Sequence, residues 1–349
     1  MKPSEIFQAL RSAFKANIPA FIWGAPGAGK SHVIKSAAES IFGPDTEVYR
    51  INTREIGSNS NASVVEEFRA LMRDVIDLKG LPRINGKGTE FTRPDFLPTE
   101  GDGTFVLFLD ELNAAPRLVQ AGCYELVYDR RVGKHRLPDY VRIVAAGNRQ
   151  SDRAVTSNMP TPLKSRFMHL DFDVDSEDWL SWAMENNIAE EIIAFISWQP
   201  EHLDTFDPAS SAERTYACPR TWEYASNLLK AKPMAGIEYA MYEGIIGSGA
   251  ASSFLGFLRI YRNLPDLDKI IAQPQSHPVA TQADVNYAVS IALARRATPD
   301  NFSNILSYLF RLSDEFPIIA VKMATKRDKT LKETPAFGTF VQAYTDVII

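Results

Sequence analysis

The sequence predicts an α/β chain: a parallel sheet built around a phosphate-binding loop, followed by a run of helices. Three observations predict it. Gly24-Ala25-Pro26-Gly27-Ala28-Gly29-Lys30-Ser31 is a complete G-x-x-x-x-G-K-S loop. Phe105-Val106-Leu107-Phe108-Leu109 is an apolar run ending in two carboxylates, Asp110 and Glu111. From Ser176 onward strand-like runs stop and helix-like segments follow one another. A change of that kind marks a break near 173–177, giving an α/β core over 1–175, a helical segment over 176–260 and a further helical segment over 261–349.

The loop has the flanks its chemistry needs. Ala20-Phe21-Ile22-Trp23 reads as a short buried strand. Ser31 to Ile41 has no Gly or Pro and reads as a helix closed by Gly43-Pro44. Glycines let the backbone curl until consecutive N–H groups face one anion, and the helix N-terminus adds partial positive charge. Gly24 to Ser31 are therefore candidates for holding a nucleoside triphosphate, with Lys30 reaching its β- and γ-phosphates and the Ser31 hydroxyl binding Mg²⁺. His32 joins the set through its backbone alone.

The five apolar residues 105–109 read as a central parallel strand. Its C-terminal end is where doubly wound sheets place their ligands. Asp110 is the candidate for the Mg²⁺ shell, and Glu111 the candidate base that polarises an attacking water. Glu47 to Asn52 alternates at period two and reads as the second strand. Ala62 to Leu78 carries Val64, Val65, Phe68, Leu71, Met72, Val75 and Ile76 at helical spacing and reads as a helix. Gly80 to Gly103 reads as a long loop of the kind that is functional or mobile. Leu118 to Asp129 reads as a helix, and Arg131 to Leu137, around Gly133-Lys134, as a hairpin. Val141 to Gly147 is another buried strand. Asn148 then lies at the same sheet edge as Asp110, where its amide can orient a water near a γ-phosphate, although Asn also suits a left-handed turn. Phe167 to Phe172 reads as a fifth strand.

Composition narrows the function classes. A net charge of −5 over 349 residues argues against a surface built mainly to neutralise nucleic-acid phosphates. Cys123 and Cys218 are too far apart for a metal-ligand spacing, the histidines form no H-E-x-x-H, and Cys123, in an expected helix, reads as a buried thiol of a reducing compartment. Met1 to Asn17 is amphipathic and has no signal-peptide pattern. Ile237 to Ile260 is broken by Glu238, Glu243 and glycines, so no membrane span is expected and the chain reads as cytoplasmic.

Taken together these residues resemble an AAA+ ATPase of the MoxR-like branch. Gly24–Ser31 and the strand ending Asp110-Glu111 are similar to Walker A and Walker B. Leu112-Asn113-Ala114-Ala115-Pro116 is similar to the stretch that follows Walker B, Arg131–Leu137 to the pre-sensor hairpin, and Asn148 to sensor 1. Leu163-Lys164-Ser165-Arg166-Phe167 resembles the family's Leu-x-x-Arg-Phe. Cys218-Pro219-Arg220 resembles its Ser-Pro-Arg, with Cys in place of Ser. The resemblance spans 18–229. It implies an AAA+ core, a helical lid and a helical extension; ATP and Mg²⁺ as cofactors; Arg166 acting in trans as a finger on a neighbour's nucleotide; and Arg220 as sensor 2. It also implies a homo-oligomeric ring, usually a hexamer. Members of this branch work on protein partners, often ones with a von Willebrand A domain. Two other readings use the same core: a nucleic-acid motor or restriction-type translocase, against which the charge and the lack of basic segments with interleaved aromatics stand, and a scaffold that binds ATP without turnover, against which Glu111 stands.

Overall fold

A computed structural model describes residues 1–43, 47–50, 64–84, 86, 88–98, 104–152, 159–209 and 214–344. Two compact units are present, Met1–Asp175 with Asp207–Ser211, and Ser176–Phe206 with Ala212–Ile349. The strands of the first unit are β1 Ala20–Trp23, β2 Glu47–Arg50, β3 Val64–Arg69, β4 Pro82–Ile84, β5 Thr89–Phe91, β6 Phe105–Asp110, β7 Arg131–Val132, β8 His135–Arg136, β9 Val141–Gly147 and β10 Met168–Asp171. Six of them form one parallel sheet in the order β10-β1-β9-β6-β3-β2. Its helices are α1 Pro3–Ala16, α2 Lys30–Phe42, α3 Val75–Lys79, α4 Arg117–Tyr128 and α5 Thr161–Lys164.

Side chains alternate between the faces of a strand, and a parallel sheet covered on both sides needs apolar residues on both. Strand β6 shows this directly. Leu107 and Leu109 join the core that holds Phe21, Phe68 and α4, while Val106 and Phe108 join the one that holds α1 and α2. All five apolar residues of β6 are fully buried. The helix α1 buries Ile6, Leu10, Ala13 and Phe14, the stripe expected of its sequence.

One expectation is overturned. Residues 62–78 do not make one helix: Val64–Arg69 is the strand β3, Ala70–Met72 a single 3₁₀ turn, and α3 begins only at Val75. A buried strand followed by a short helix satisfies the same apolar spacing, and Val65, Glu66, Glu67 and Phe68 are all buried between β2 and β6. Parallel pairing to β6 decides the matter, and that pairing is invisible in a local window. Within the expected loop 80–103, β4 and β5 form an antiparallel hairpin. The hairpin at Gly133 is present as β7 and β8. Ile51 and Asn52, at the end of the expected second strand, lie outside the described residues.

The second unit is helical: α6 Ser176–Glu185, α7 Glu190–Trp198, α8 Pro219–Lys230, α9 Glu238–Ile246, α10 Ser248–Arg262, α11 Leu267–Ala272, α12 Ala283–Arg296, α13 Phe302–Leu309, α14 Glu315–Arg327 and α15 Pro335–Ala343. Phe195, Trp222 and Phe254 meet in its aromatic core with ring centroids 5.4–5.6 Å apart. No helix among the described residues is long and apolar enough to cross a membrane.

Candidate functional site

Apart from Arg166, the candidate residues of the first unit gather where the parallel strands end. The phosphate loop leaves β1 at Trp23 and enters α2 at Lys30, so a 13-residue helix points its N-terminus at the loop. Gly27 and Gly29 take φ values of 79° and 110°, which L side chains rarely adopt. The Lys30 ammonium donates to the carbonyls of Gly24 (2.7 Å) and Ala25 (2.9 Å) and to Asn148 Oδ1 (3.2 Å). Asn148 follows β9, and its contact with Lys30 spans 118 positions of sequence. These acceptors are uncharged, and a phosphate oxygen is a stronger partner for an ammonium than any of them. Ser31 is half-buried beside Lys30, and His32 is exposed, its Nε2 3.4 Å from Ser36 Oγ.

Asp110 and Glu111 stand at the end of β6. Glu111 has φ 53°, an uncommon backbone conformation for a non-glycine residue, and its N–H donates to Asp110 Oδ1 at 3.0 Å. Asn113, 1 % exposed, donates through Nδ2 to the Asn148 carbonyl at 2.7 Å. A Cβ on Gly147 would lie 2.0 Å from Asn113 Oδ1, so only glycine lets this amide pack across the end of β9. The loop after β6 is thereby fastened to the loop after β9.

Two residues that the sequence reading missed complete the cluster. Parallel register sets Arg69 opposite Asp110. The Arg69 guanidinium is 2.9 Å from Glu67, a carboxylate only 4 % exposed. Burial, then the charges of Glu67 and Glu111, push the Asp110 carboxyl up to about 6, while the Glu111 N–H and Lys30 act the other way. Reading 62–78 as a helix hides both residues. The signal available was the pair of β-branched residues at Val64-Val65.

These residues fit Mg²⁺. Among the described residues no group of three or more His, Cys, Asp or Glu side chains could hold a metal ion, and Mg²⁺ is normally held by one or two carboxylates together with substrate phosphates and water. A crowded Asp110 beside the phosphate loop, its carboxyl pushed up to about 6, is a donor that a divalent cation would favour in its charged form.

Arg166 is placed away from its own loop. It precedes β10, whose last residue, Asp171, pairs with Trp23 at the start of the loop, so the length of β10 separates the two. At about 3.3 Å per residue that is roughly 13 Å. Its guanidinium lies over the rings of Tyr128 (4.2 Å) and Tyr124 (5.1 Å) and donates to Tyr124 Oη at 3.1 Å. Arg220 belongs to the second unit, exposed in the first turn of α8.

No protein-family model matches the chain. Midasin of Giardia intestinalis is 28 % identical over 193 residues, which cover 53 % of this chain and 4 % of Midasin, so the match spans a small part of that relative's length. NtrX of Brucella abortus in complex with ADP is similar over 98 % of this chain and 67 % of that one, at a TM-score of 0.41 and 12 % identity. A point mutant of RuvB from Thermotoga maritima is similar over 88 % and 85 %, at a TM-score of 0.35 and 17 % identity. These likenesses are remote.

The crowding at Asp110 has a measurable consequence. Its folded pKa lies above that of an ordinary aspartate, so its contribution to stability is fully present below about pH 4 and is lost as pH rises through about 6. Asp110→Asn removes this penalty and should stabilise the nucleotide- and Mg²⁺-free protein at about pH 7.5, by on the order of 2 kcal/mol, with the gain shrinking towards about pH 5. Thermal melting of both proteins at the two pH values checks this. An equal or lower melting temperature of the variant at the higher pH would contradict it.

Proposed function

We propose that this chain is a Mg²⁺-dependent ATP-hydrolysing AAA+ ATPase of the MoxR-like branch, working as a homo-oligomeric ring, a hexamer in the manner usual for that family, that remodels, activates or assembles a protein partner. The observation that carries the reading is the meeting of Lys30, Asn148, Asp110 and Glu111 at one edge of the sheet, with Asn148 touching Lys30 directly. Gly24 to Ser31 would hold the triphosphate, and Ser31 and Asp110 would hold Mg²⁺, which when bound would supply charge neutralisation for the phosphates. Glu111 takes the proton of the attacking water, which Asn148 orients. In this reading 176–260 is the lid, carrying Arg220 as sensor 2, and 261–349 an extension.

Placement of Arg166 at the opposite end of β10 from its own phosphate loop supports a role in trans. The tyrosine pair beneath it keeps the guanidinium half-buried. A ring follows, because each site then needs a neighbour's arginine.

Two features support a protein partner, for which a von Willebrand A-domain protein is our choice. The net charge of −5 does not suit a polyanion. The β4–β5 hairpin and the residue before it carry exposed apolar side chains, Leu81, Ile84 and Phe91, at 60, 83 and 45 % exposure. Lys134 of the turn between β7 and β8 pairs with Glu90 of that hairpin, tying the two hairpins together.

Glu111→Gln and Arg166→Ala should each abolish hydrolysis while leaving ATP bound, with a loss on the order of 10³-fold or more for the arginine. Mixed rings of the two variants should recover partial activity, because some interfaces pair an intact Glu111 with an intact neighbouring Arg166. Absence of recovery despite proven mixing would contradict action in trans. The Glu111→Gln ring should also retain a von Willebrand A-domain partner more strongly with ATP than with ADP in a pull-down, since only differential affinity for the two states can drive a conformational cycle. Equal retention, or hydrolysis stimulated by single-stranded DNA alone, would contradict the protein-remodelling reading.

A further inference from the structure

The residue after Asn148 does something that the nucleotide chemistry above does not use. Arg149 leaves the end of β9, and its guanidinium ends at the far side of β1, against the end of β10. Nη2 donates to the Phe172 carbonyl at 2.8 Å and to Asp173 Oδ1 at 2.6 Å, and Nε lies 3.5 Å from Asp171 Oδ1. Because β1 lies between β9 and β10 in the sheet, this contact ties the loop after β9 to the segment after β10 across the end of β1. Its own backbone is fixed as well, the N–H donating to Asp152 Oδ2 at 2.8 Å from a carboxylate that is itself buried.

Phe172, the residue it grips, forms the wall behind the phosphate loop. The Phe172 N–H donates to the Trp23 carbonyl at 2.7 Å, so its peptide is held at one end by β1 and at the other by Arg149. A Cβ added to Gly24 would lie 3.0 Å from the Phe172 carbonyl oxygen and 3.1 Å from Phe172 Cβ, and one added to Gly29 would lie 3.9 Å from the end of the Phe172 ring. The start of the glycine loop at Gly24 therefore packs close against a residue whose carbonyl Arg149 fixes, and its far end at Gly29 faces the same ring. The same guanidinium faces two carboxylates, Asp171 and Asp173, which are 71 and 60 % exposed.

We propose that Arg149 is a positioning residue for nucleotide binding: a clasp across the root of the phosphate loop that holds Phe172 as its backing and offsets the charge of Asp171 and Asp173 beside an incoming triphosphate. The proposal rests on the nucleotide-site reading above. The clasp acts in two separable ways. Its geometry requires the planar fork of arginine, which reaches a carbonyl and a carboxylate together, whereas its charge is supplied by any cation. Arg149 touches no candidate reacting atom, so it sets affinity and leaves the chemical step alone. Asn148 contacts Lys30 while the adjacent Arg149 holds Asp173, two residues before the first unit ends at Asp175. The loop that meets the phosphate-loop lysine is thus the loop that anchors the segment leading out of the unit.

The test compares Arg149→Met, which keeps the length of the stem, with Arg149→Lys, which keeps the charge. Binding of a fluorescent ATP analogue and steady-state hydrolysis are measured on the full chain well below each variant's melting temperature. Loss of one charge-assisted hydrogen bond corresponds to about ten-fold in affinity. Arg149→Met should therefore raise Kd and KM about ten-fold or more, with kcat at saturating ATP changed by less than about three-fold. Arg149→Lys should recover part of the affinity, and the part it recovers should shrink as salt rises, as expected of a screened charge. Unchanged Kd in Arg149→Met, whatever its melting temperature, overturns the proposal, as does a fall in kcat at unchanged Kd. If the wild-type chain fails to bind the analogue, the nucleotide-site reading fails, and the clasp with it. If the wild type binds and Arg149→Met binds equally, only the clasp fails.

Discussion

Three strands, β10, β1 and β9, end level with one another, and the candidate site depends on that alignment. Their parallel registers set Trp23 beside Asp171 on one side and beside Gly147 on the other. Two backbone hydrogen bonds carry the alignment one step past the strands: the Gly24 N–H donates to the Gly147 carbonyl at 3.2 Å, and the Phe172 N–H to the Trp23 carbonyl at 2.7 Å. The phosphate loop therefore starts from a fixed base. Because α2 begins at Lys30, the direction of its N-terminus is fixed as well, and a helix N-terminus is where backbone N–H groups stand ready for an anion. The strand ends also explain why Asn148, which is remote in sequence, arrives at the lysine.

Charge is distributed unevenly about this edge. Glu67, Asp110 and Glu111 crowd one side, and burial makes their company costly enough to lift the Asp110 carboxyl to about 6. Arg69 offsets Glu67 within the sheet. Lys30 acts on Asp110 from the loop. A Mg²⁺–nucleotide complex of the proposed kind would bring a dication to the carboxylates and anionic oxygens to the lysine, so both halves of the edge would gain from the same ligand. The fold supplies this arrangement without any ligand in place.

How much of this is legible in the sequence depends on how local each feature is. The phosphate loop, its flanking strand and helix, and the Asp110-Glu111 step each lie in one short window, and apolar runs such as 105–109 announce strands buried on both faces. Asn148 is legible because it ends another such run. Glu67 and Arg69 are not legible, because the spacing of Val64, Val65, Phe68, Leu71 and Met72 suits a helix as well as a strand followed by a turn, and only pairing with β6 separates them. Arg149 and Asn113 are hidden for a related reason. Their partners, at Phe172 and at the Asn148 carbonyl, are 23 and 35 positions away, and nothing in the side chains themselves says which carbonyl they will meet.

The most direct measurement is calorimetric titration of Mg²⁺–ATP into the wild-type chain and into Lys30→Ala. Lys30 holds three uncharged oxygens at the mouth of the loop, and exchanging them for phosphate oxygens is the step on which the whole reading depends. The account predicts saturable binding to the wild type and a loss on the order of 100-fold or more in the variant, equivalent to one strong charge-assisted contact. Equal affinity of the two proteins, or absence of binding by a correctly folded wild type, would contradict it.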